Sequence, residues 1–82
     1  MPELKSEYMI ASDVSEPTMA THRWNILSYS SGALLGRVGW YGAWRQYTFS
    51  PSGATIFNSS CLSALQVFLD EANAEHKNRV KK

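Results

Sequence analysis

The chain has 82 residues and a formal net charge of +1, which limits it to one small domain and argues against strong general attraction to nucleic acid or anionic lipid. Apolar residues make up 44% of it, too many for a disordered chain, while no apolar run approaches the ~20 residues needed to cross a bilayer. The single cysteine, Cys61, excludes an internal disulfide. Met1-Pro2-Glu3-Leu4-Lys5 lacks the basic and then apolar pattern of a secretory leader, so the expected location is a reducing cytoplasm.

Residues 1–21 hold neither a helical nor a strand period over a useful length. Ser12, Asp13, Ser15 and Pro17 interrupt what Tyr8-Met9-Ile10-Ala11 begins. This stretch is therefore expected to be a flexible N-terminal tail. The other reading is a segment that orders on a partner or a second copy through Tyr8, Met9 and Ile10. It carries four acids (Glu3, Glu7, Asp13, Glu16) against one base, Lys5.

Arg23 to Tyr29 is the first predicted strand. Ser30-Ser31-Gly32 fits a three-residue hairpin loop closed by Gly32 in the left-handed conformation. Leu34 to Tyr41 is the second strand, and Trp44 to Phe49 the third. Gly42-Ala43 between them has glycine where a type II′ turn needs it. Seven of the ten aromatic residues lie between Trp24 and Phe49, so this hairpin is expected to carry both core and working surface. Ser50-Pro51-Ser52-Gly53 ends the sheet.

The two loop lengths set a register. They place Trp24 opposite Val38, Ile26 opposite Gly36, Ser28 opposite Leu34, Val38 opposite Tyr47 and Gly36 opposite Phe49. One face then holds Trp24, Ile26, Leu34, Val38, Trp40, Tyr47 and Phe49. The other holds Arg23, Asn25, Leu27, Leu35, Arg37, Tyr41, Trp44, Gln46 and Thr48. A greasy face and a mixed face are what a one-sided antiparallel sheet requires. Gly36 is expected to give its larger neighbours room to lie across the sheet.

Asn58 or Ser59 caps a helix expected to run to about His76. Its apolar stripe is Cys61, Leu62, Leu65, Phe68, Leu69 and Ala72, with Ile56 and Phe57 stapling its start onto the sheet. The predicted architecture is α+β: a three-stranded antiparallel meander and one C-terminal helix packed on one face. Residues 22–76 form that domain, and residues 77–82 a basic tail holding Lys77, Arg79, Lys81 and Lys82.

No catalytic constellation stands out. His22 and His76 have no evident carboxylate or cysteine partner, and a nucleophile needs a base within hydrogen-bond reach. Cys61 falls on the apolar stripe, where it reads as a buried thiol. Two histidines and one buried cysteine do not supply a metal site, and no cofactor is implied. The open sheet face is the better candidate for binding, with Arg23, Arg37, Tyr41, Trp44 and Gln46 on it and Arg45 at the turn. Arginine and aromatic side chains anchor binding surfaces through forked donors and large rigid area. Structural explanations compete: Tyr41 and Trp44 pairing across the hairpin, the N-terminal segment or a second copy covering that face, and, for Arg45, a guanidinium lying over Trp40.

The run Leu35-Gly36-x-Val38-x-Trp40-Tyr41-x-x-Trp44-Arg45-x-Tyr47-x-Phe49-x-Pro51, followed by Phe57-Asn58-x-x-Cys61-Leu62 and Phe68-Leu69, resembles a family of small uncharacterised bacteriophage and prophage proteins. The resemblance covers residues 22–75. It implies a viral accessory protein acting in a bacterial cytoplasm and brings no known activity and no catalytic residues. Three strands and a helix are also the layout of certain sheet-type DNA-binding domains, an architectural likeness only. The leading expectation is a non-enzymatic module that binds a host protein or itself. The alternative is nucleic-acid binding by the open sheet face, against which the sequence pI of about 7.9 weighs.

Overall fold

A computed structural model describes residues 2–18, 20–53 and 55–80. Four strands, β1 (Met9–Asp13), β2 (Arg23–Ser28), β3 (Leu34–Tyr41) and β4 (Gln46–Pro51), precede one helix, α1 (Ser59–Val80). All three strand pairings are antiparallel, in the order β1-β2-β3-β4. The architecture is α+β as expected, but the sheet has four strands and not three. The added strand comes from the stretch expected to be a tail. Met9 lies opposite Ser28 and Asp13 opposite Trp24. Met9 is buried in the core and Leu4 packs against it, so this segment contributes apolar burial as well as a strand edge.

The first hairpin follows the expected pairing at Trp24–Val38 and Ile26–Gly36, then slips. Leu34 faces Leu27, not Ser28, and Leu35 becomes the extra residue of a bulge. The bulge exchanges the two leucines: Leu35, expected on the open face, packs against the core, and Leu34 stands beside Leu27. Gly32 closes the loop at φ 75°.

The second hairpin has a four-residue connection, residues 42–45, in place of two. The Trp44 and Arg45 N–H groups donate to the carbonyls of Tyr41 and Gly42, and Arg45 itself takes the left-handed conformation at φ 53°. Trp44 is therefore a loop residue. Val38 pairs with Phe49, and Trp40 with Tyr47. This register differs from the expected one by two residues. An even slip leaves every side chain on its own face, and the predicted division of faces survives it.

Helix α1 starts where Asn58 caps it, its Oδ1 accepting the Cys61 N–H at 2.8 Å. The buried stripe is Cys61, Ala64, Leu65, Phe68 and Ala72, with Leu69 half-buried against it. These meet Met9, Trp24, Ile26, Val38 and Tyr47 from the sheet. Phe68 stands edge-on to Trp24 with ring centroids 5.1 Å apart. Leu62, expected on this stripe, is 56% exposed, and Ile56, expected to staple the helix, is 93% exposed. Phe57 alone staples, packing edge-on to Phe49 at 5.5 Å. The helix continues past His76 through Lys77 and Asn78 to Val80, whereas Lys81 and Lys82 of the expected basic tail lie outside the described residues.

One side-chain bond guards the sheet's far edge. The pairing pattern turns the Tyr47 N–H away from β3, and Asn73 of α1 accepts it at 2.7 Å. Asn73→Ala strands that amide at a half-buried edge. Losing the partner is expected to cost about 1–3 kcal/mol, towards the lower end where water can reach in. Urea denaturation should read the loss, together with faster hydrogen exchange at the Tyr47 amide. An unchanged Tyr47 exchange rate would show that Asn73 does not hold the edge.

Candidate functional site

The helix covers one face of the sheet and leaves the other uncovered. Cross-strand partners share a face, so the register assigns this open face row by row. Ile10, Leu27 and Leu34 form an apolar row at one end. Next comes Ser12–Asn25–Arg37–Ser50, then Val14–Arg23–Gly39–Thr48, and finally Tyr41 with Gln46. Among the described strand residues of this face there is no aspartate or glutamate. The cationic half is therefore uncompensated on its own surface, although the chain as a whole is nearly neutral.

A shallow basin of about 640 Å³ lies in this half, bordered by Arg23, Asn25, Arg37, Gly39, Tyr41 and Thr48. Gly39 is its floor. A Cβ built there would meet nothing within 4 Å. Arg23 stands directly across from Gly39, while Arg37 lies two residues before it on the same strand. Two forked guanidinium groups thus approach one gap from two sides, with an amide (Asn25) and a hydroxyl (Thr48) beside them. That set donates many hydrogen bonds and fits an anion.

Of the six residues expected to form a binding surface, Arg23, Arg37 and Tyr41 come together here. Trp44, 66% exposed, and Gln46 line a different groove of about 450 Å³ beside α1, with Leu62, Leu69 and Asp70. Tyr41 and Trp44 do pair, edge-on at 5.1 Å, as the structural explanation had it. Arg45 and Gln46 border a third hollow at the hairpin tip with Lys77 and His76. The Trp40 ring there lies tilted against His76, with ring centroids 4.2 Å apart. Sequence reasoning missed Asn25, Gly39 and Thr48 as members of the site. Their signal was positional: they share face and row with the arginines.

His22 has a carboxylate neighbour after all. Asp13 Oδ2 lies 4.0 Å from its Nδ1, and Ser15 Oγ lies 3.3 Å from the same nitrogen. A relay needs serine and aspartate on opposite ring nitrogens, so this is no nucleophile–base–acid line. Ser15 Oγ instead accepts the Arg23 N–H at 2.8 Å, and Val14 N–H donates to the Arg23 carbonyl. Together these clasp the ends of β1 and β2. Hydrogen bonding from Ser15, its hydroxyl first and its N–H second, holds the Asp13 carboxyl below the ordinary carboxylate value, with His22 adding a smaller push. Cys61 is buried and free on the helix stripe. Among the described residues no group of three His, Cys, Asp or Glu side chains could hold a metal, and no helix is long and apolar enough to cross a membrane.

The chain is similar to an uncharacterised 9.3 kDa protein of Acholeplasma phage L2, 25% identical over 72 residues that span 88% of this chain and 92% of the phage protein. No family model matches, and no solved structure matches. The likeness supports the coarse part of the resemblance drawn from the sequence, a small phage-type protein of uncharacterised function.

Proposed function

We propose that this is a non-enzymatic phage-type accessory protein that binds nucleic acid on the open face of its sheet, inside the bacterial cell. The observation that carries the reading is the acid-free basin bordered by Arg23 and Arg37. A near-neutral chain can bind a polyanion when its cations are gathered on one surface and its carboxylates are kept off it. Here the acids sit on α1, in the segment before β1, at Glu16 beyond it, and at Asp13, the last residue of β1, which pairs with the core residue Trp24 and so lies on the opposite face. The test is a salt-titrated binding assay against mixed DNA and RNA. Micromolar affinity that falls as salt is added is expected, lost in Arg23→Gln/Arg37→Gln and retained in Leu62→Ala, whose side chain lies in the separate groove beside α1. Binding indifferent to salt, or retained by the double variant, would sink the reading.

A protein partner, the leading expectation from the sequence, is favoured by one observation. Trp44 and Leu62, both more than half exposed, flank the apolar groove beside α1, and exposed aromatic anchors of this kind serve protein contacts. Capture of a defined host protein, abolished by Trp44→Ala and indifferent to the arginine double variant, would put this reading first.

A further inference from the structure

Resting on the nucleic-acid reading, we infer that the open face selects single strands: one phosphate of an unpaired segment seats over Gly39 between Arg23 and Arg37, and an adjoining base stacks on Tyr41. Three features of the face converge on this.

The first is the gap. Gly39 is the one position in its row with no side chain, and the space above it is open. A phosphate could descend there to the level where the flanking guanidinium groups reach it from the side. Arg23 stands ~5 Å away across the strands, and Arg37 ~7 Å away along the same strand. Any side chain at residue 39 would lift the phosphate out of this reach.

The second is the aromatic. Tyr41 lies on the same strand face as Gly39, two residues on and so roughly 7 Å away, within the span of one extended nucleotide. Its ring is 47% exposed and is held edge-on by Trp44 at 5.1 Å. A tyrosine ring can stack only on a base that has left its own stack, and a duplex offers none without cost.

The third is the charge count. Two arginines on an acid-free face match a short single-stranded track, in which stacking replaces some of the charge. A duplex-binding surface neutralises more phosphates, roughly 6–10 in well-characterised cases.

The experiment uses the full chain and fluorescently labelled oligonucleotides of about 12 nucleotides, DNA and RNA, single-stranded and as the matching duplex. The single strands are expected to bind at least ~10-fold more tightly than the duplex. Their affinity should fall with log salt at a slope of about −0.7, the value for one neutralised phosphate on a single strand, and that salt dependence should vanish in Arg23→Gln/Arg37→Gln. Tyr41→Leu should weaken single-strand binding about 10-fold and duplex binding little, since stacking on one base is worth about that much. Gly39→Val should weaken it at least ~10-fold while leaving the unfolding midpoint unchanged or higher, because valine suits a strand and a Cβ there meets nothing within 4 Å. Duplex binding equal to or tighter than single-strand binding overturns the inference and leaves the nucleic-acid reading standing. So does full affinity in Gly39→Val. Binding to neither form removes both.

Discussion

Phe68→Ala is expected to cost ~3–5 kcal/mol in urea denaturation, the largest loss of any single side-chain truncation in α1. Phe68 is 1% exposed and lies where helix and sheet meet, edge-on to Trp24. Trp24 in turn stands edge-on to Tyr47 at 5.6 Å and stacks with His22 at the same distance. Removing the phenyl ring therefore deletes its own transfer free energy and leaves a hole walled by a large rigid indole that cannot collapse into it. At about 0.05–0.15 kcal/mol per residue the whole domain has only ~4–12 kcal/mol to lose, so this one truncation removes at least about a quarter of it. Leu62→Ala, six residues earlier and exposed, is the control and should stay within ~0.5 kcal/mol. Equal effects at the two positions would mean that the helix presents a different face to the sheet.

That pair of positions also marks how far the sequence could be read. The period of three and four places Cys61, Leu65, Phe68 and Ala72 inward, and that part stands. Between Leu62 and Ala64, hydrophobicity pointed to the leucine, but the angle around the helix put the alanine inward. Chain geometry outweighed side-chain greasiness. The sheet behaves the same way. Apart from Leu34 and Leu35, which the bulge exchanges, its faces were legible because alternation is a local property and survived a two-residue slip in the second hairpin. The slip itself was hidden, because Gly42-Ala43 looks like a two-residue turn and nothing announces that Arg45 will take a positive φ.

β1 was the least visible element for a related reason. Met9-Ile10-Ala11-Ser12-Asp13 is too short to show a period, and an edge strand exists only because β2 offers it a ladder. Its burial at Met9 depends on α1, some fifty residues downstream in the chain. The candidate site shows the same division between local and distant information. Arg23, Arg37 and Tyr41 could be grouped from strand parity alone. Trp44 could not be excluded without knowing that the loop was longer, and Gly39 gains its meaning only from the arginine across from it.

Gly36 and Gly39 supply the second large effect, and they should respond in opposite directions. Both lie in β3, three residues apart, and neither has a positive φ. At such positions Gly→Ala ordinarily stabilises by ~0.4–1 kcal/mol, because the unfolded chain loses freedom. Gly39→Ala should behave that way, since its Cβ meets nothing within 4 Å. At Gly36 a Cβ would lie 2.5 Å from Phe49 Cζ and 2.6 Å from the Ser50 carbonyl oxygen. The phenyl ring could swing aside, although Phe57 is packed edge-on against it. The carbonyl could not, because Arg37 pairs with Ser50 in the β3–β4 ladder. Relief requires the two strands to part, so Gly36→Ala should destabilise by at least ~1–3 kcal/mol, and Gly36→Val should prevent stable folding. A thermal melt of the two alanine variants side by side reads the sign directly. If Gly36→Ala melted at or above the wild type, β4 would not cross β3 in the register that also places Thr48 and Tyr41 around the Gly39 basin. The site proposed there would then lose one wall.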